Sequence, residues 1–294
     1  MYDPGNNKDR MSSEPLFSII IPTWNNREML AVCVDSILKN SSFRHQIVLH
    51  INEGKDGTRE WADKQGFDYS FSEKNVGVCD AVNQAAGLAK TDYILYLNDD
   101  MYVCPAWDLH LWEEIKKQPD NLFFISATAI EPSDVGKKTA IAPYNFGVGV
   151  NGFDENGLLE QYEKFPMLDW SGSSWPPNIV HRSIWEKAGG YSPEFYPGFY
   201  SDPDFSMKLW QLGVRRFKGV AASRVYHFLE SSTKKFRNEA VKKGRKLFLK
   251  KWGITSRVFY TYYLKMGEPY SGDLKSPSGL MYYWDLFLCK IKRL

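Results

Sequence analysis

The chain has 294 residues, 43% of them hydrophobic and 24% charged, which is typical of a globular protein long enough to bury a full core. No apolar run reaches the ~18 residues of a transmembrane helix, and the polar segment 1–15 does not have the pattern of a signal peptide. The net charge is only +2, the four cysteines lack the paired spacing of a zinc site, and no nucleic-acid-reading motif is present. We therefore expect a cytoplasmic protein with reduced thiols and no nucleic-acid partner.

Strand and helix patterns alternate in the first hundred residues, after an N-terminal tail at 1–15 that we expect to be disordered. Short apolar runs rich in β-branched and aromatic residues predict strands at 17–21, 46–51 and 93–97, and a weaker strand is predicted at 69–71. Amphipathic patterns predict the intervening helices at 27–39, 58–66 and 78–89. The alternation indicates right-handed βαβ units, and therefore an α/β, Rossmann-like fold with a mainly parallel sheet flanked by helices.

The pattern is less regular in the second half of the chain. A Gly-, Asn- and Pro-rich stretch at 132–175 favours loops or short hairpins. Around it, helices are predicted at 107–117, 183–188 and 203–212, and strands at 122–130 and 220–226.

The C-terminal segment differs from the rest of the chain in charge. Residues 228–294 contain 15 Lys and Arg against 5 Asp and Glu, a net charge of +10, so the remainder carries −8. We therefore divide the chain into the tail, a main domain at 16–228 and a basic, aromatic, helical extension at 229–294.

Lysines beside the aromatic run 281–294 favour contact with an anionic membrane, which would place the protein at the inner face of the cell membrane. A solvated helix packed on the domain is the alternative, and an oligomer built through the aromatic residues is another.

The strand predicted at 93–97 ends abruptly in Asn98, Asp99 and Asp100. Carboxylates are costly to bury, and in open α/β sheets ligands bind beyond the carboxyl ends of the strands. Clustered oxygen ligands suit a hard divalent cation, Mn²⁺ or Mg²⁺, which usually arrives with a substrate phosphate. The alternative is an ordinary strand end followed by a turn.

A series of short motifs, in order along residues 17–233, resembles glycosyltransferase family 2, whose members are inverting, sugar-nucleotide-dependent enzymes of the GT-A fold. The matching segments are Phe17–Asn25, Glu53–Thr58, Asn75–Gly77 with Asn83, the DXD-like Asn98–Asp100, Gly189–Phe195, Ser201–Asp204 at the "ED" position, and His227 with Ser231 and Ser232. The chain departs from the family at Asn52, Asn98 and Ser201, where acidic residues are usual. Each motif is weak alone, but the ordered series is specific for the family.

The resemblance implies a nucleotide-sugar site and a divalent cation beside it. The cation would be held by Asp100 and Asp99, with His227 completing its shell. The implied nucleotide-sugar-binding residues are Pro22, Thr23, Asn25, Glu53, Asn75, Gly77, Asp80, Asn98 and Asp99. Ordinary caps, turns and a hydrogen-bonded histidine are the alternatives for these positions.

The resemblance also implies that Asp202 is the general base for the acceptor hydroxyl, which is far too weak an acid to ionise unaided at neutral pH. One in-line attack then inverts the anomeric centre. The sequence places Asp202 just before a helix, with Pro203 at the first helical position, so a plain helix cap is the alternative.

The segment Trp170–Pro177 is the expected acceptor side of the site. The rings of Trp170 and Trp175 suit stacking on a sugar, and Gly172 suits a flexible lid. Core packing of either tryptophan is the alternative.

The expected function is transfer of a sugar from a nucleotide-diphosphate sugar, with UDP favoured, to a hydroxyl of a glycan or lipid-linked acceptor in surface polysaccharide or lipopolysaccharide synthesis. Two alternatives come from other classes. A catalytically silent nucleotide-sugar- or glycan-binding subunit on the same fold is supported only by the substituted acidic positions. A nucleotidyltransferase would ordinarily carry a Gly-rich basic loop near the first strand, where this chain has Pro22–Asn26.

Overall fold

The computed structural model of the protein describes residues 14–134, 136, 138–229 and 237–293. Most of the expected N-terminal tail, and Ser231 and Ser232 of the histidine–serine motif, lie outside these ranges. The described chain forms a ten-stranded sheet with a hydrophobic cluster on each face.

The strand–helix alternation predicted for the first hundred residues is present. It consists of β1 (Ser18–Trp24), α1 (Arg27–Asn40), β2 (Gln46–Asn52), α2 (Thr58–Gln65), β3 (Asp68–Ser72), α3 (Gly77–Ala86) and β4 (Tyr93–Tyr96). The four strands are parallel, and Ile20 of β1 pairs with Val48 of β2 on one side and Tyr96 of β4 on the other.

Strand β1 is buried on both faces of the sheet. Ile20 packs into the cluster on one face, whereas Ile19 and Ile21 pack into the cluster on the other face. Because β1 is covered on both faces of the sheet, neither of its faces contacts solvent. This explains why its sequence is a continuous apolar run rather than an alternating one.

The second half of the chain completes a mixed sheet. Its elements are β5 (Met101–Val103), α4 (Trp107–Lys116), β6 (Phe123–Ile130), β7 (Ala140–Ile141), α5 (Glu155–Gln161), β8 (Trp170–Ser171), β9 (Asn178–His181), α6 (Arg182–Ala188), α7 (Ser201–Gln211) and β10 (Arg216–His227). The strand order is β3-β2-β1-β4-β9-β6-β10-β5, with β7 beside β6 and β8 beside β10. Strands β5 and β9 and helix α5 are additions to the predicted elements, and β9 runs antiparallel between β4 and β6.

The C-terminal extension is helical, as expected, and comprises α8 (Arg237–Trp252), α9 (Ser256–Val258), a π-helical turn (Phe259–Tyr263) and α10 (Leu280–Arg293). Its side chains Phe248 and Phe259 are fully buried in the same cluster as Phe205 of α7 and Phe217 of β10. The extension therefore shares a hydrophobic core with the sheet. None of the helices in the described ranges has the length and apolar character needed to cross a bilayer.

Candidate active site

A cleft of about 620 Å³ opens at the carboxyl ends of β1, β2 and β4 and at the start of α7. The strand ends converge because the sheet is parallel here, with Trp24 opposite Asn52 where β1 and β2 end together. The residues predicted for the site that line this cleft are Pro22, Thr23, Asn75, Gly77, Asn98, Asp99, Asp100, Trp170, Trp175, Asp202 and His227.

The two aspartates after β4 occupy different environments. Thr23 Oγ1 donates a 2.7 Å hydrogen bond to Asp99 Oδ2, which ties the end of β1 to the acidic motif. Burial and the neighbouring Asp100 raise the pKa of Asp99 to about 7, against the hydrogen bonds from Thr23 and Asn26. A cation or a hydrogen-bond donor brought to this edge would offset the repulsion between the two carboxylates.

Asp100 faces His227, the last residue of β10, which is distant from it in sequence. Its Oδ2 lies 3.4 Å from His227 Nε2, and His227 Nδ1 lies 3.4 Å from Glu131 Oε1. Burial disfavours the imidazolium, but the carboxylates of Asp100 and Glu131 outweigh it and raise the pKa of His227 to about 9. The chain brings these groups together because β10 pairs with β5, so that His227 lies opposite Met101.

This donor set is compatible with a divalent cation that also binds phosphate. Among the described residues, no three His, Cys, Asp or Glu side chains are grouped closely enough to enclose a metal. Mg²⁺ and Mn²⁺ sites on phosphate substrates need only one or two protein carboxylates, since phosphate oxygens and water complete the shell. Asp100, with Asp99 beside it, fits such an open site, and His227 would join it by losing the proton that its neighbouring carboxylates stabilise.

Asp202 lines the same cleft from the first turn of α7. The helix begins two residues earlier than predicted, at Ser201, and its N-cap is Tyr200 with φ of 72°. Asp202 is therefore not the N-cap, and its carboxylate accepts a 3.3 Å hydrogen bond from the Tyr191 hydroxyl. Burial raises the pKa of Asp202 to about 7, although the bond from Tyr191 lowers it. A carboxylate with this pKa is suited to accept a proton near neutrality.

Asn25, Glu53 and Asp80 do not line the cleft. Asn25 and Glu53 have left-handed φ values of 47° and 62° and form the turns after β1 and β2. Asn25 Nδ2 donates to Glu53 Oε2 at 3.2 Å, and Lys55 Nζ donates to the same oxygen at 2.8 Å. Asp80 lies in the first turn of α3.

Asn52 takes part in a hydrogen-bond network where the family usually has an acidic residue. Its Oδ1 accepts hydrogen bonds from Val76 N at 2.9 Å and Ser72 Oγ at 3.1 Å. Its Nδ2 donates to the Thr23 carbonyl at 3.3 Å. An ionised carboxylate has no proton to donate to that carbonyl, so the amide is the better side chain for tying these strand ends together.

The glycine at 77 allows two loops to meet at the rim of the cleft. Its φ is 79°, and a Cβ at this position would lie 2.7 Å from the ring of Tyr196. The next residue, Val78, donates its backbone N–H to the Pro197 carbonyl at 2.9 Å. Only glycine accommodates both the left-handed backbone and this close approach.

The predicted acceptor residues differ in their positions. Trp170 is buried, its Nε1 donates to Thr128 Oγ1 at 3.0 Å, and the residue lines the cleft. Trp175 is more exposed and packs against Tyr260, with ring centroids 5.5 Å apart. Gly172 lies outside the cleft, where a Cβ would meet the backbone of Met266 at 2.7 Å. It is a close-packing position rather than a free hinge.

Sequence reasoning missed several residues of the cleft. Glu131 comes directly after β6, much as Asp99 comes after β4. The expectation that ligands bind beyond the carboxyl ends of the strands would therefore have identified it. Ser256 and Tyr260 come from the C-terminal extension and carry no local motif. Their presence means that the extension forms part of the wall of the site.

Comparisons with known proteins agree with this architecture. The sequence profile described as "Glycosyl transferase family 2" matches residues 18–173, which is more than half of the chain. The solved structure of GalNAc-T7 with UDP, GalNAc and Mn²⁺ has a TM-score of 0.60 and 18% identity, covering 84% of this chain and 50% of that one.

Two curated relatives are similar in sequence. A PGL/p-HBAD biosynthesis glycosyltransferase from Mycobacterium bovis (strain BCG / Pasteur 1173P2) is 26% identical over 255 residues, covering 83% of this chain and 86% of that protein. The putative colanic acid biosynthesis glycosyl transferase WcaA from Escherichia coli (strain K12) is 27% identical over 99 residues, covering 31% of this chain and only 34% of that protein. With the matching family profile, these likenesses show that the chain belongs to glycosyltransferase family 2 and is a glycosyltransferase with the GT-A fold.

Proposed function

We propose that the protein moves a sugar from a UDP-sugar to a hydroxyl group of a glycan or lipid-linked acceptor, with inversion at the anomeric carbon. The observation that carries this proposal is the position of Asp202, whose carboxylate lies in one cleft with the acidic edge formed by Asp99 and Asp100. The UDP in the GalNAc-T7 complex supports the choice of nucleotide. The relatives named for colanic acid and PGL/p-HBAD biosynthesis support a saccharide or lipid-linked acceptor.

Asp202 acts as the general base in this proposal. The acceptor oxygen attacks the anomeric carbon as its proton passes to the Asp202 carboxylate. The bond from that carbon to the diphosphate oxygen breaks, and its electron pair leaves with the nucleoside diphosphate. A single displacement of this kind inverts the configuration and needs no covalent enzyme intermediate.

The acidic residues that follow β4, together with His227, bind the donor in this proposal. Asp100 and His227, with Asp99, would hold a divalent cation, and the Mn²⁺ in the GalNAc-T7 complex supports that choice. When bound, the cation neutralises charge on the departing diphosphate. Thr23 orients Asp99 through its 2.7 Å hydrogen bond, so the acidic edge has one preferred geometry.

The remaining predicted donor residues are assigned in two groups. Pro22, Asn75, Gly77 and Asn98 lie on the wall of the cleft and are proposed to contact the nucleoside or the sugar directly. Asn25, Glu53 and Asp80 lie outside that wall, so we propose that they support or border the nucleotide site. Trp170 and Trp175 form the proposed acceptor side, and Gly172 maintains the packing beneath it.

The test is a panel of nucleotide sugars assayed for binding and slow hydrolysis, with and without Mn²⁺. Wild type is compared with Asp202→Asn and with Asp35→Asn, which removes an exposed carboxylate on α1. We expect one UDP-sugar to stabilise wild type only when Mn²⁺ is present, and its hydrolysis to be lost in Asp202→Asn but kept in Asp35→Asn. Failure of every nucleotide sugar to bind the folded protein with Mn²⁺ present would refute the proposal.

A further inference from the structure

Helix α10 leaves a broad apolar face in contact with solvent. Its exposed side chains are those of Leu280 (85% exposed), Met281 (66%), Tyr283 (60%), Trp284 (56%), Phe287 (51%) and Ile291 (51%). Single exposed apolar residues are common, but a contiguous patch of this kind on one helix usually marks an interaction surface.

The opposite face of α10 is fixed to the protein. Tyr282 and Cys289 are buried in the main hydrophobic cluster, and Leu286 packs against it. The hydroxyls of Tyr282 and Tyr263 lie 2.8 Å apart, and Tyr262 donates a 2.8 Å hydrogen bond to Asp285. These contacts set the rotation of the helix, so the apolar face is presented outward by the fold.

Positive charge borders this apolar face. At about 100° per residue, the side chains of Leu280, Trp284 and Ile291 point in nearly the same direction. The exposed Lys290 and Lys292 then project from the two opposite edges of the face. This arrangement is typical of a helix that lies in a membrane interface, where lysines reach the headgroups from either side of a buried apolar stripe. Tyrosine and tryptophan are also enriched at that depth.

We infer that α10 docks the protein on an anionic lipid surface, with Trp284, Phe287 and Ile291 among the acyl chains and Lys290 and Lys292 on the lipid phosphates. The charges favour this partner over a second copy of the chain. In a parallel two-fold contact between two α10 faces the bordering lysines would meet, and like charges oppose such pairing. In an antiparallel contact the partner helix would offer these lysines only Asp285, which already accepts a hydrogen bond from Tyr262. The surrounding segment 228–294, at +10, adds to the attraction for anionic lipid. The inference does not depend on the proposed donor or acceptor.

The test is co-sedimentation of the full chain, without nucleotide sugar, with vesicles of phosphatidylcholine alone or mixed with phosphatidylglycerol. We expect binding only to the mixed vesicles, weakening as salt is raised. Lys290→Gln/Lys292→Gln should weaken it roughly 30-fold, because each lysine near an anionic surface is worth a factor of about five in binding. Trp284→Gln/Phe287→Gln should weaken it at least as much.

Matched controls are Lys64→Gln/Lys116→Gln, which removes two exposed lysines elsewhere, and Leu168→Gln, which alters a side chain that is 72% exposed. Both should bind like wild type. If the aromatic double variant proves unstable by thermal melting, Phe287→Ala alone serves in its place.

Equal binding by wild type and the α10 variants would overturn the inference, as would failure of wild type to bind the mixed vesicles. Sedimentation equilibrium tests whether the apolar face of α10 binds a second copy of the chain instead. A dimer of wild type that Trp284→Gln/Phe287→Gln dissociates would assign the face to a second copy and overturn the membrane proposal.

Discussion

The indole Nε1 of Trp252 donates a 2.8 Å hydrogen bond to Asp204 Oδ1, which connects the C-terminal extension to the helix that carries Asp202. Asp204 is completely buried, and its other oxygen accepts a hydrogen bond from Ser192. Lys251 Nζ lies 2.9 Å from Asp204 Oδ1 and supplies the neutralising charge. The first turn of α7 is thus held by two consecutive residues of α8.

Replacement of Lys251 is expected to affect both stability and catalysis. Lys251→Met leaves the buried Asp204 carboxylate without its cation, so we expect a loss of about 1–3 kcal/mol in the free energy of unfolding. The rate should also fall, because Asp204 and Asp202 share the first turn of α7. Urea unfolding and steady-state kinetics measure the two effects. The matched control is Lys250→Met, an exposed neighbour, and an equal effect of both substitutions would contradict this role for Lys251.

The pH dependence of sugar transfer should report the protonation of Asp202. Its pKa is about 7, and only the ionised form can accept the proton of the acceptor hydroxyl. We therefore expect kcat/KM to rise with pH up to about 7 and to level off above it. In Asp202→Asn, the rate should drop by roughly two to four powers of ten, and the rise should shrink to the part that ionisation of Asp99 contributes. A flat wild-type profile from acid to neutral pH would argue against Asp202 as the base.

The same carboxylate should make the protein less stable at alkaline pH. Asp202 is protonated in the folded state up to about pH 7, whereas its ordinary pKa is 3.8, so the folded state binds more protons between these values. Stability is therefore lost as the pH rises through this window, and the whole penalty is present above it. Because asparagine carries no charge, Asp202→Asn should melt a few degrees higher than wild type at pH 8 and show a smaller gain at pH 5. A larger gain at pH 5 would reverse the expected sign.

Glu131 is expected to influence cation binding without being a ligand. Its carboxylate faces His227 Nδ1 at 3.4 Å and orients the ring whose other nitrogen faces Asp100. Removing such a partner typically costs 10–100-fold in metal affinity. Glu131→Gln should therefore raise the Mn²⁺ concentration for half-maximal activity by roughly that factor, with a smaller change in kcat at saturating Mn²⁺. The control is Glu160→Gln, an exposed carboxylate on α5, which should leave the Mn²⁺ requirement unchanged.

The fold of the first hundred residues could be predicted because its signals are local. Strand β1 is buried on both faces, so Ile19, Ile20 and Ile21 had to form an unbroken apolar run. The helices between the strands display their own periodicity. Strand β9 could not be recognised in this way. It has only four residues, Asn178–His181, and it is defined by pairing with β4 and β6, which lie far away in sequence.

The features of the candidate site also fall into those that local sequence sets and those that contacts distant in sequence set. The sequence by itself determined that acidic groups follow β4 and that Asp202 lies near the start of a helix, because the ends of elements are encoded by neighbouring residues. Only the tertiary structure decided that His227 meets Asp100, that Gly172 packs away from the cleft, and that Tyr260 of the extension lines it. Those contacts depend on the register between β10 and β5 and on the packing of α8 against α7. Both are set by the burial of side chains distant in sequence, so no local pattern records them.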